Sequence, residues 1–140
     1  METKEKILLG RLSVERLYNE VPIFEKNAQS YSPQFGPLEK IRAIGEETDL
    51  MMFIGTWCPD SRNEAPKFLK ILAMADNPKL ALTIIGVDRK KDDGMGLAKE
   101  HQIERVPTIL FFREGREMGR IVEHPKSSPE DDFLEIVMGE

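Results

Sequence analysis

The chain has 140 residues, one cysteine, two histidines and a formal net charge of −5 at pH 7. A single thiol excludes an intramolecular disulfide framework and a cysteine-rich zinc site, and two histidines leave little for a histidine-based metal centre, so no metal is expected. The acidic balance argues against a nucleic-acid surface, and no stretch nears the roughly 18–20 apolar residues of a membrane span. Residues 1–11 mix acids and bases around Ile7-Leu8-Leu9 without the pattern of a secretory signal. The expected setting is the cytoplasm, where a lone thiol stays reduced.

Residues 1–36 read as a helical extension packed on a domain spanning 37–140. Ser13 can cap a first helical turn, and Pro22 can open a second helix through Ile23, Phe24 and Ala28. Tyr31–Pro37 is rich in breakers and reads as a connection. Pro37 then starts a third helix with Leu38, Ile41, Ala43 and Ile44 on its apolar side. Three short apolar runs follow, at 50–54, 82–87 and 108–112, each bounded by breakers, and they read as buried strands. Helical stretches at about 60–74 and 95–102 lie between them, which predicts parallel pairing through crossovers. Glu114-Gly115 signals a hairpin into a last antiparallel strand at 117–122. Ser128-Pro129-Glu130-Asp131 is a strong helix start, with Phe133, Leu134, Ile136 and Val137 on the buried side. The fold class is α/β, a mixed central sheet flanked by helices on both faces.

Trp57-Cys58-Pro59-Asp60-Ser61 falls where the first apolar run gives way to a helix. The unpaired N–H groups of a helix start carry partial positive charge, which favours thiolate, the form that attacks disulfides. The alternative, a packing cysteine inside the core, fits poorly beside Pro59 and Asp60. Arg89-Lys90-Lys91-Asp92-Asp93 is mixed in sign and reads as solvated. His101, beside Glu100 and Gln102, reads as a surface residue. Arg62 is either a positive edge for an acidic substrate or simply solvated. Asp92-Asp93-Gly94-Met95-Gly96 is too sparse for a calcium loop.

Trp57-Cys58-x-x-Ser61 resembles the active site of the thioredoxin family, with serine in place of the second cysteine. Pro66 is similar to the proline inside that family's active-site helix. Val87-Asp88 resembles the end of its middle strand, Ile103–Thr108 its cis-proline segment, and Phe112–Gly115 its terminal hairpin. The chain is thus similar to a bacterial protein of the thioredoxin-like superfamily with a monothiol motif, over about 37–140. The segment before Pro37 lies outside the resemblance, where the family has an opening strand; its helices are expected to cap the sheet edge instead.

The resemblance implies a thioredoxin-like fold with a cis Val106–Pro107 bond beside Cys58. It implies that Trp57, Pro59, Val106 and Pro107 bind substrate, and that Cys58 and Ser61 form the catalytic pair. Ser61 cannot attack a mixed disulfide, but its hydroxyl can donate a hydrogen bond to a Cys58 thiolate. Met52 and Ile84 stand where family members often carry a buried acid and its lysine. These two losses are mutually consistent and point to natural divergence rather than an engineered Cys→Ser change. Val122-Glu123-His124-Pro125 replaces a family glycine. His124 is either an exposed loop histidine or a neighbour tuning Cys58, and Asp60 is either an acid near the thiol or a residue favoured by the helix dipole.

The implied activity is monothiol thiol–disulfide exchange through a Cys58 mixed disulfide on a disulfide-containing or glutathionylated protein. Glutathione or another low-molecular-weight thiol would act as co-substrate, with no bound cofactor. A binding module using the same groove and a redox sensor are the alternatives. No nucleic acid or membrane partner is expected, and the chain would be a monomer or weak dimer.

Overall fold

In the computed structural model, which describes residues 6–139, the backbone alternates between short strands and helices in the order βαααβαβαββα. The elements are β1 (Gly10–Leu12), α1 (Val14–Glu20), α2 (Ile23–Ser30), α3 (Phe35–Arg42), β2 (Thr48–Ile54) and α4 (Pro59–Ala75). β3 (Leu80–Gly86), α5 (Leu97–Glu100), β4 (Thr108–Arg113), β5 (Arg116–Val122) and α6 (Pro129–Met138) follow. The strands form one mixed sheet in the order β1-β3-β2-β4-β5. Among the described residues, no helix is long and apolar enough to cross a membrane.

Local chemistry accounts for the helix boundaries. Ser13 Oγ accepts from Arg16 N–H and Ser128 Oγ from Asp131 N–H, so both cap their helices. α3 begins at Phe35, two residues earlier than Pro37 suggests. The seventeen residues of α4 span about 25 Å, which matches the length of seven-residue β2 at about 3.3 Å per residue. That helix carries the chain back to the start of β3, which pairs with β2 in parallel.

β4 does not follow the expected parallel rule. It runs antiparallel to β2, with Phe53 opposite Thr108 and Asp49 opposite Phe112. The reason is the size of α5: four residues reach only about 6 Å, too little to return the chain along the sheet. The connection therefore re-enters at the end where β3 leaves. β4 and β5 form the expected hairpin, and Glu114 and Gly115 both have positive φ (50° and 77°), as a two-residue type I′ turn requires.

The edge beyond β3 is closed by a strand, not by the helices expected there. Gly10, Arg11 and Leu12 pair antiparallel with Gly86, Ile85 and Ile84. Burial alternates along the segment, with Leu8, Gly10 and Leu12 inside and Ile7, Leu9 and Arg11 outside. Because Ile7 and Leu9 are apolar yet 41% and 47% exposed, the sequence hides this period of two.

Side-chain alternation in the central strands splits the core. Leu50, Met52, Ile54, Ile84, Ile109 and Phe111 join a large cluster that also takes Leu17, Phe24, Leu38, Phe68 and Phe133 from the helices. Phe53, Ile85, Val87 and Leu110 join a smaller one with Trp57, Ala98, Ile103 and Val106. Met52 and Ile84 face each other across the β2–β3 pair, both buried. Phe111 and Phe133 meet edge to face, with centroids 5.0 Å apart.

A buried carboxylate ties the N-terminal segment to α6. Glu130 is fully buried; its Oε1 accepts from the Tyr31 hydroxyl and its Oε2 accepts from Gln34 N–H at 2.8 Å. Burial, followed by the hydrogen bond and charge of Glu130, holds the Tyr31 hydroxyl well above the ordinary tyrosine value of 10.0. The unfolded chain releases this proton near pH 10 while the folded chain keeps it. The contribution is therefore intact below pH 10 and declines as pH rises further. Tyr31→Phe is expected to cost about 1–3 kcal/mol at pH 8, because a buried carboxylate oxygen loses its donor. Urea midpoints measured from pH 8 to 12 should also fall less steeply in the variant. Part of the decline remains, since burial and Glu25 hold Tyr18 high as well.

Candidate active site around Cys58

The site begins where β2 runs out. Gly55 closes a tight turn: its carbonyl accepts from Cys58 N–H at 2.9 Å, and its N–H donates to Ser61 Oγ at 3.0 Å. A Cβ at Gly55 would lie 2.6 Å from the Trp57 ring, so close approach of the indole requires glycine here. Trp57 is locked in turn, since its Nε1–H donates to the Val87 carbonyl at 2.9 Å. Cys58 is the N-cap of α4, in extended conformation, and Pro59 occupies the first turn. The Arg62 guanidinium Nε donates to the Thr56 carbonyl at 2.8 Å, so Arg62 braces the turn rather than standing free in solvent. Thr56 itself is fully buried and takes a hydrogen bond from Leu8 N–H at 3.1 Å.

Opposite the thiol lies the loop before β4. Cys58 Sγ stands 3.6 Å from the Val106 carbonyl oxygen, to which the thiol donates, and is partly exposed. The Val106–Pro107 peptide bond is cis. The Pro107 carbonyl accepts from Glu123 N–H at 2.7 Å, which fastens this turn to the end of β5. The sulfur thus sits between a helix start and an X-Pro turn, with solvent on one side.

The fold brings Trp57, Cys58, Pro59, Ser61, Val106 and Pro107 to one end of the sheet. Ser61 is buried, and its Oγ is engaged by Gly55 rather than aimed at Cys58. His124 lies over the first turns of α4, its Nε2 3.6 Å from Asp60 Oδ1 and its Nδ1 3.4 Å from Glu64 Oε2. Its ring nitrogens therefore meet two carboxylates and not the sulfur. Glu64 also pairs with Lys67 at 3.3 Å. His101 is not a surface residue: its side chain is only 20% exposed and its ring packs against Phe53 and Phe112. Among the described residues no group of three or more His, Cys, Asp or Glu side chains is arranged to hold a metal ion.

Two residues of the site escape a reading by motif. Arg89 and Lys91 place their cationic groups 4.9 Å and 5.5 Å from the Trp57 ring centroid, close enough for cation–π attraction. The available signal is positional: both follow β3 at the sheet end where β2 delivers Trp57.

A five-stranded mixed sheet with a cysteine at the start of its longest helix, facing a cis X-Pro turn, defines a thioredoxin-like fold. The family model described as Thioredoxin matches residues 38–135. The chain belongs to the thioredoxin family. It is 33% identical over 79 residues to Thioredoxin H3 of Arabidopsis thaliana, covering 55% of this chain and 62% of that protein. It is 25% identical over 99 residues to the human Thioredoxin, covering 71% of this chain and 89% of that one. The match to the first relative thus spans less than two-thirds of that relative's length. Among solved structures, a Pseudomonas aeruginosa protein of unknown function superposes with a TM-score of 0.57 at 22% identity, over 85% of this chain and 70% of that one. That coverage exceeds what residues 38–140 can supply, so the shared fold extends into the N-terminal segment.

Proposed function

We propose that this protein performs thiol–disulfide exchange with a single thiol. The observation that carries the reading is Cys58 Sγ, partly exposed at a helix start and 3.6 Å from the Val106 carbonyl, in a chain whose Ser61 replaces a second thiol. The Cys58 thiolate attacks one sulfur of a disulfide R–S–S–R′. A Cys58–S–S–R bond forms, the original S–S bond breaks, and R′–S⁻ leaves with the electron pair. An outside thiolate then attacks the mixed disulfide, regenerates the Cys58 thiolate and leaves as its own disulfide with R. With glutathione as that thiol, a glutathionylated protein is reduced and oxidised glutathione is released. The balance needs no metal or bound cofactor. A reducing compartment such as the cytoplasm supplies the small thiol.

Trp57, Pro59, Val106 and Pro107 form the walls against which substrate would lie. Ser61 supports the turn through Gly55, while Asp60 and His124 set the charge on its α4 side. The test is reduction of a glutathionylated peptide by glutathione, followed with and without the protein. The wild-type chain accelerates it and Cys58→Ser returns it to the uncatalysed rate. Equal rates for both proteins would remove the enzymatic reading.

A further inference from the structure

We propose that the cavity beside the loop after β3 binds an α-amino-acid head group, with the ammonium on Asp93 and the carboxylate on Lys90 and Lys99. This site is distinct from the sulfur and does not rest on the exchange reading. The observation that carries it is Asp93 Oδ2. Asp93 is 2% exposed, and its Oδ2 is buried with no hydrogen-bond partner among the described residues. The other oxygen is committed, since Oδ1 accepts from Ala98 N–H at 3.0 Å. Burial strips a carboxylate oxygen of hydration, so folded proteins ordinarily match such an atom with a donor. The loop holds Asp93 in place. Asp88 Oδ1 accepts from the N–H groups of Lys90 and Asp92, at 2.8 Å and 3.0 Å, and Asp88 N–H donates to the Asp92 carbonyl at 2.9 Å. The chain is therefore bent back on itself immediately before Asp93.

Asp93 lines a cavity of about 530 Å³. That lies within the roughly 300–1,000 Å³ of small-molecule sites. Lys90, Lys91, Lys99 and the exposed Asp92 line the same cavity, so its charge is mixed. The charges are not spent on one another. Lys90 and Lys99 form no ion pair among the described residues. Lys91 lies against Trp57, and Asp92 Oδ1 takes Gly94 N–H at 2.8 Å. A simple cation drawn to Asp93 would meet the lysines, and a simple anion drawn to the lysines would leave Asp93 Oδ2 without a donor. A molecule with both signs on adjoining atoms serves both sets. Its ammonium has three N–H donors to offer Oδ2, and its carboxylate accepts from Lys90 and Lys99. With three lysines against two aspartates, an amino acid bearing a second carboxylate fits the lining better than a neutral one.

The experiment titrates the full chain with L-glutamate by calorimetry and by fluorescence of the single tryptophan, against which Lys91 lies. L-Glutamate is expected to bind. N-acetyl-L-glutamate, which lacks the ammonium, and 4-aminobutyrate, which lacks the α-carboxylate, are expected to bind about tenfold more weakly or worse. Asp93→Asn keeps an acceptor for Ala98 N–H and weakens L-glutamate by a similar factor. Lys90→Gln/Lys99→Gln changes two exposed side chains and weakens it about fivefold. Should Asp93→Asn fail to fold, the lysine variant decides. S-methylglutathione carries the same head group on a γ-linked peptide and has no free thiol. Tighter binding than L-glutamate identifies such a peptide as the occupant, and equal or weaker binding identifies the free amino acid; both results support the site. No heat and no fluorescence change with either compound at tens of millimolar overturns the inference. So does equal binding of N-acetyl-L-glutamate, or an affinity that neither variant moves. These failures leave exchange by Cys58 untouched.

Discussion

Phe24→Ala is expected to lower the unfolding free energy by about 3–5 kcal/mol. The ring is fully buried in the large core cluster, on α2, the helix that packs against α4. Truncation removes its transfer free energy and leaves a cavity between two helices. Neither can close the gap freely, because Asn27, one turn further along α2, donates to the Arg62 carbonyl at 2.8 Å. Against a typical total of about 5–15 kcal/mol, the loss is large. Urea denaturation at neutral pH checks it. A cost below about 1 kcal/mol would mean that the first helices are an appendage rather than part of the core that holds the active-site helix.

Gly86→Ala is expected to cost a similar amount, about 3–5 kcal/mol, for a different reason. A Cβ at Gly86 would lie 2.0 Å from the Leu8 carbonyl oxygen and 3.1 Å from Leu12 Cδ1. The nearest obstacle is backbone, so the segment from Leu8 to Leu12 must lift away. Two buried leucines, the β1–β3 pairing and the Leu8–Thr56 hydrogen bond are lost together. Thr56 precedes Trp57, so exchange by Cys58 should slow as well. Amide hydrogen exchange at residues 8–12 provides the direct check. Retained protection with wild-type stability would contradict the packing described.

The part of this fold written in local chemistry was legible from the chain alone. Ser13 and Ser128 cap helices because their hydroxyls meet N–H groups three residues on. Glu114-Gly115 makes a hairpin because Gly115 takes positive φ with no Cβ to clash, and Glu114 beside it is held in the same region. The Trp57–Ser61 motif and its place between β2 and α4 were legible for the same reason. What stayed hidden depends on partners far along the chain. β1 is three residues long and flanked by exposed apolar side chains, so its alternation shows only once Gly86 is beside it. The direction of β4 follows from how little ground α5 covers. His101 is drawn between Phe53 and Phe112 by the hairpin, not by its helical neighbours. Arg89 and Lys91 look like members of a solvated mixed-sign run until the fold lays both against Trp57. Glu130 resembles an ordinary helix-start acid until Tyr31 and Gln34 reach it across about a hundred residues.

Intact mass spectrometry of the chain after brief exposure to a peptide disulfide probes the chemistry itself. A single covalent adduct on Cys58 is expected that persists when excess reagent is removed, because the chain holds no second thiol to expel it, and that disappears on addition of glutathione. A chain whose mass stays unchanged under conditions where free cysteine reacts would contradict it.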